Sequence, residues 1–113
     1  MAEPASAIAV IPGLPPEASA RLLAVLSAEP AVQEVWLYGS RAMGRHRPGS
    51  DIDLTLVAPG LAHHERLRLM GALDDLLLPW SIDLSLWHEL PDPLRQHVAR
   101  VGRRLVLRGA APL

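Results

Sequence analysis

Val35-Trp36-Leu37-Tyr38-Gly39-Ser40-Arg41-Ala42-Met43-Gly44, followed by Pro48-Gly49-Ser50-Asp51-Ile52-Asp53-Leu54-Thr55-Leu56, is the stretch on which the fold turns. Val32 to Tyr38 is rich in β-branched and aromatic residues, the composition of a strand. Gly39 breaks that strand, and Gly39 to Gly44 reads as a glycine-bounded turn holding at most one turn of helix. Arg45 to Ser50 contains Pro48 and Gly49 and is a loop. Asp51 to Val57 then alternates apolar and polar, a second strand.

Outward from this pair of strands the pattern becomes helical. Upstream, Pro15-Pro16-Glu17 suits a first helical turn, Ala18, Leu22, Val25 and Leu26 recur at helical spacing, and Pro30 is the stop. Downstream, Pro59-Gly60 ends the second strand. Leu61 to Leu78 is the longest helical pattern, with Leu67, Met70, Leu73 and Leu77 on one stripe, halted by Pro79. Trp80 to Trp87 alternates as a third strand. Asp92 and Pro93 read as the N-cap and first position of a last helix closed by Gly102, and Leu105-Val106-Leu107 as a short edge strand. This order predicts an α/β (α+β) fold: one small mixed β-sheet flanked by helices.

Two strands echo each other, Asp51-Ile52-Asp53-Leu54-Thr55-Leu56 and Ser81-Ile82-Asp83-Leu84-Ser85-Leu86. Strand side chains alternate between faces. Ile52, Leu54 and Leu56 therefore share one face, as do Ile82, Leu84 and Leu86. If both apolar faces pack on one core, Asp51, Asp53 and Asp83 emerge together on the other side. Each like-charged pair about 4 Å apart costs roughly 4 kcal/mol at an effective dielectric near 20, a cost that protonation or a bound cation relieves. All-oxygen donors favour Mg²⁺ or Mn²⁺. Singly, Asp-x-Asp is more often a solvated strand face; the shared face is what points to metal.

Gly39-Ser40 lies between a strand and a helical turn, where free backbone N–H groups and a glycine let a phosphate approach closely. The Ser40 hydroxyl can donate another hydrogen bond, Arg41 is the nearest cation, and Arg45 and Arg47 could swing over a triphosphate. A phosphate cradle closing one strand just before paired carboxylates on the next is the layout that holds a triphosphate and a metal beside an acceptor hydroxyl.

The chain of 113 residues fits one domain and carries a formal net charge of −1, with 11 basic residues that are all arginine. No face is evidently basic, which argues against duplex nucleic acid as a partner. The absence of cysteine excludes disulfides and thiolate metal sites. No apolar run approaches the ~18 residues needed to span a bilayer. Ala7 to Ile11 is broken by Pro12 and lacks a basic lead, so no membrane association is expected and the chain reads as cytoplasmic. His63, His64, His88 and His97 read as surface or partner-contact positions. Trp36 and Trp80 read as core, and Trp87 as bordering the Asp83 face.

The motif Gly39-Ser40, ten residues from Arg41 to Ser50, then Asp51-x-Asp53, with Asp83 on a later strand, resembles the signature of the DNA polymerase β-like nucleotidyltransferase superfamily. Within it the chain is most similar to the minimal nucleotidyltransferase (MNT) antitoxins that accompany HEPN-domain ribonuclease toxins. The resemblance spans about 14–102. It implies a single domain over 1–113, with 1–13 as a lead-in and 109–113 as a flexible tail. It also implies that Gly39, Ser40, Arg41 and Ser50 hold ATP, and that Asp51, Asp53 and Asp83 ligate Mg²⁺ (or Mn²⁺) and carry catalysis. AMP would then pass to a tyrosine hydroxyl of a HEPN toxin bound in a hetero-oligomer. Met43 stands where a polar residue is frequent. Two other readings stand beside this one, transfer to a small-molecule acceptor and a binding-only antitoxin with a vestigial site.

Overall fold

The computed structural model describes residues 7–107, and the expected tail at 109–113 lies outside them. In chain order the elements are α1 (Pro16–Ser27), β1 (Glu34–Tyr38), α2 (Gly39–Ala42), β2 (Ile52–Val57), α3 (His63–Asp74), β3 (Ile82–Leu86), a 3₁₀ turn (Trp87–Glu89), α4 (Asp92–Val101) and β4 (Arg103–Leu105). The strands form one sheet in the order β3-β2-β1-β4. β1 runs antiparallel to both β2 and β4, whereas β2 and β3 are parallel. Parallel neighbours need a crossover, and α3 supplies it. The sheet is therefore mixed, as the order of elements predicts.

Strand alternation decides the layering. Val35 and Leu37 of β1, Ile52, Leu54 and Leu56 of β2, and Leu84 and Leu86 of β3 are buried in one core with Leu22, Leu23 and Leu26 of α1 and Leu69 and Leu73 of α3. A smaller cluster occupies the opposite face, where Tyr38, Leu90 and Val98 pack with Trp36, Trp87 and Leu94. α4 thus covers part of the face that bears the polar strand residues. Burying one leucine-sized side chain contributes roughly 1.5–3 kcal/mol, so the α1/α3 side carries most of the cohesion.

Two local expectations are corrected. The long helix is shorter than its apolar pattern, and its inward stripe is Leu69 and Leu73 with Met70 alongside. Leu67 is half exposed, and Leu77, beyond the helix end with φ of 57°, stands in solvent. The leucine-rich run gives several overlapping stripes, and the crossover geometry selects one of them. Trp36 is only partly buried and sits on the α4 side, not in the main core; Trp80 does pack on that core, partly buried. Within the described part of the lead-in, Ile8 bridges to Leu105 of β4, Ile11 is fully buried, and the Ile11 amide donates to Ser19 Oγ at 2.9 Å.

Candidate active site

Parallel register places Asp53 directly beside Asp83, and antiparallel register places Tyr38 on the other flank of Asp53. The three sit in a row across β1, β2 and β3 on the face opposite the main core. Asp53 is partly buried, while Asp83 and Asp51 are exposed. Burial raises the Asp53 carboxyl above its ordinary value, Asp83 and then Asp51 push it further, and His97 and Arg41 pull it back. Tyr38 is raised chiefly by burial, with Asp83 and Asp53 adding to the effect and a hydrogen bond with Ser85 opposing it. Asp53 therefore feels the charges of Asp83 and Asp51 across a partly desolvated patch.

The turn after β1 is fitted to that patch. Gly39 has φ of 75°, and a Cβ there would overlap Asp53 Oδ2. Only glycine lets the backbone turn here and lets the carboxylate lie against it. Gly39 opens α2, whose first amides have no acceptor earlier in the helix. The Met43 amide donates to the Gly39 carbonyl and the Arg45 amide to the Ser40 carbonyl, which closes the turn. Gly39, Ser40, Asp53 and Asp83 are thus brought together, with Asp51 just before β2.

Among the described residues no three His, Asp or Glu side chains close into a preformed metal cage. Two of the three carboxylates, Asp51 and Asp83, are exposed. The donor set nevertheless fits a hard divalent ion: carboxylate oxygens on adjacent strands, beside a glycine cradle that a side chain would fill.

Two residues expected on the nucleotide are placed otherwise. Arg41 is 1% exposed. Its Nη1 donates to the Pro12 carbonyl at 2.8 Å, Nη2 to the Ser50 carbonyl at 2.7 Å and Nε to the Asp51 carbonyl at 3.3 Å. The guanidinium is thus engaged by three main-chain carbonyls. Ser50 belongs to the loop as well, its Oγ accepting from the Arg47 amide at 2.8 Å. The sequence puts Arg41 on the phosphates as the nearest cation, and the resemblance puts Ser50 there; in the structure both hydrogen-bond within the protein.

His97 is also relocated. It is partly buried, its ring meeting Tyr38 edge-on with centroids 6.2 Å apart. The signal for Tyr38 was present, since strand parity puts it on the Asp53 face; nothing local announces His97, which α4 delivers. Trp87 leaves the strand for the 3₁₀ turn, where Arg95 stacks on its ring at 5.4 Å and donates to its carbonyl. Two hollows adjoin the site. One of about 240 Å³ runs from Asp83 and Ser85 to Arg66 and Glu89. A larger one of about 430 Å³ lies at the far end of the same face between Trp36, Val57, Trp87 and Val98.

A small mixed sheet with a glycine turn set against strand-borne carboxylates is the architecture of a nucleotidyl-transferring domain. Residues 21–110 match the family described as "Polymerase beta, Nucleotidyltransferase", and the chain belongs to that family. It is similar to the "Probable protein adenylyltransferase MntA" of Haemophilus influenzae, 34% identical over 68 residues. That match covers 59% of this chain and 60% of the relative, so the chain spans about three fifths of that protein. A crystal structure of a toxin–antitoxin complex with AMP-PNP matches with a TM-score of 0.64 and 26% identity, over 83% of this chain and 74% of that one. A second match is a complex of a tri-AMPylated Shewanella oneidensis HEPN toxin with its MNT antitoxin. Its TM-score is 0.51 at 26% identity, covering 66% of this chain and 56% of the other. The small mixed sheet with flanking helices is the fold these structures share with it. None of the described helices is long and apolar enough to cross a membrane.

Proposed function

We propose that this chain is a Mg²⁺-dependent adenylyltransferase that moves AMP from ATP onto a tyrosine hydroxyl of a HEPN-type toxin, and so acts as its antitoxin. The observation that carries the reading is the side-by-side register of Asp53 and Asp83 with Gly39 seated against the Asp53 carboxylate. The similarity to an adenylyltransferase and to complexes holding AMP-PNP or an AMPylated toxin supports the choice of nucleotide and partner.

In this reading Ser40 and the first amides of α2 bind the phosphates, the hydroxyl donating to a phosphate oxygen. Asp51, Asp53 and Asp83 would hold Mg²⁺ (Mn²⁺ has the same donor preference), and the ion, when bound, would neutralise the triphosphate and the carboxylates together. The acceptor hydroxyl enters through the hollow beside Asp83, whose carboxylate takes its proton. The acceptor oxygen bonds to the α-phosphorus, the bond to the β-phosphate oxygen breaks, and pyrophosphate leaves. Tyr38 and His97 wall the site on the β1 side and limit water there.

The test is direct. The protein, labelled ATP, Mg²⁺ and the protein encoded by the neighbouring gene are incubated together, and the partner is weighed. One or more added AMP masses on a partner tyrosine, absent with Asp53→Asn, is the expected result. Complex formation without transfer, indifferent to Asp53→Asn, would replace the enzyme with a binding-only antitoxin. Label on a small molecule alone would replace the acceptor.

A further inference from the structure

We infer that Arg41 is a positioning residue: a buried clamp that ties the N-terminal strap at Pro12 to the Ser50 and Asp51 carbonyls, and so sets where the Asp51 carboxylate stands. This rests on the metal-site reading above.

The geometry is that of a fork with all its tines engaged. Arg41 sits in α2, directly after the Gly39-Ser40 turn, with its guanidinium inside the protein. Two of its bonds end on consecutive carbonyls, Ser50 and Asp51, the last residues before β2. The third ends on Pro12, 29 positions away. Asp51 lies outside the strand ladder, so no sheet hydrogen bond of its own fixes it; β2 begins at Ile52. The clamp makes up for that missing constraint. It also gathers the two halves of the site, because the residue gripping Asp51 belongs to the turn that would hold the phosphates.

The strap is built for the grip. Ile8 pairs with β4, its amide donating to the Arg104 carbonyl at 2.8 Å, and Ile11 is anchored in the core. Gly13 then takes φ of 90°, which turns the Pro12 carbonyl toward Arg41. A Cβ on Gly13 would stand 2.5 Å from Arg41 Nη1 and 2.8 Å from His46 Nε2. Gly13 is thus spared a side chain by the guanidinium itself. Burial lowers the Arg41 guanidinium below its ordinary value, while Asp51 and Asp53 act on it in the opposite direction, so its charge interacts with both carboxylates. Loss of a partner that orients a metal ligand typically costs 10–100-fold in metal affinity.

The experiment compares the wild-type chain with Arg41→Met, Arg41→Lys and Gly13→Ala. Each protein is first shown by its melting curve to be folded at the working temperature. Two quantities are measured. One is amide hydrogen exchange at Ser50 and Ile52 without metal. The other is affinity for α,β-methylene ATP, which cannot transfer AMP, with and without Mg²⁺. In Arg41→Met, exchange at those two amides should rise at least about tenfold beyond any global change. Metal-free affinity should stay within about twofold, and the gain conferred by Mg²⁺ should fall roughly tenfold or more. Gly13→Ala should move the same way, though it lies in the strap, outside the proposed nucleotide site. Arg41→Lys, which keeps charge but cannot span three carbonyls, should fall between.

A drop of about tenfold or more in metal-free affinity with the Mg²⁺ gain intact would make Arg41 a phosphate ligand and overturn the clamp. So would a folded Arg41→Met protein whose exchange and Mg²⁺ gain are both unchanged. If Arg41→Met does not fold, Arg41→Lys and Gly13→Ala decide by the same criteria. Absence of any Mg²⁺ gain in the wild-type chain would defeat the metal reading instead, and exchange at Ser50 and Ile52 would then decide the clamp alone.

Discussion

Asp53→Asn should make the metal-free protein more stable while abolishing its stabilisation by Mg²⁺. Asp53 is flanked on the neighbouring strand by Asp83 in direct register, and adjacent strands lie about 4.8 Å apart. Two carboxylates near 5 Å in an effective dielectric of about 20 repel by roughly 3 kcal/mol. Asp83 is exposed, so solvent screens most of that, and about 1 kcal/mol of relief is expected on neutralising Asp53. For a domain of this size that raises the melting temperature by roughly 3–5 °C. In the wild-type protein, Mg²⁺ at about one hundred times its dissociation constant should add roughly 2.7 kcal/mol, and in the variant almost nothing. The pH dependence has a definite sign. The folded carboxyl titrates above the unfolded one, whose pKa is about 3.9. Between those two values the folded state holds the extra proton, so metal-free stability falls as pH rises through the window. Asp53→Asn should flatten that fall. Calorimetric melts in EDTA and in Mg²⁺ across pH 4 to 8 would measure both effects. A variant less stable than wild type without metal, or still stabilised by Mg²⁺, would refute the reasoning.

Gly39→Ala should be severe for its size, because the new Cβ overlaps Asp53 Oδ2 at a backbone angle that L residues rarely adopt. We expect a loss of roughly 1–3 kcal/mol by denaturant unfolding and transfer reduced at least about a hundredfold. Asp83→Asn should leave binding of the ATP analogue within several-fold and lower transfer by about a hundredfold or more, as for a lost general base; equal losses in both would place it in ground-state binding. Tyr38 is the only tyrosine, so its ultraviolet titration is readable without interference from another phenol, and it should ionise above the ordinary value of 10 in metal-free protein and come down in Asp53→Asn.

The sheet was legible because two strands repeat the same alternation. Ile52, Leu54 and Leu56 against Ile82, Leu84 and Leu86 fix which side is core, and with that parity Asp53 and Asp83 have to share the other. Parity cannot say whether the polar side is covered. Here α4 covers part of it, which is why Thr55 is fully buried and His97 meets Tyr38. Long side chains are the other blind spot. Arg41 follows Gly39-Ser40 at a position from which a guanidinium could turn either to solvent or to the interior. The choice is made by carbonyls of Pro12, Ser50 and Asp51 that the sequence does not display as acceptors. The misread stripe on α3 has a similar origin, since a helix with leucine at most turns offers several faces and tertiary contacts choose among them.

The same asymmetry bears on how an acceptor can arrive. α4 rests on β1 through Val98 and Leu94 beside Trp36 and Tyr38, which closes the carboxylate row from that side. β3 is one of the two edge strands, and Asp83 stands exposed upon it. A free edge invites pairing with another strand, but Arg66 reaches from α3 and donates to the Leu84 carbonyl at 2.8 Å, blunting it. Beside that contact, Asp83, Ser85 and Glu89 line a small hollow. Under the proposed function, a hydroxyl presented there by a folded partner would meet the Asp83 carboxylate.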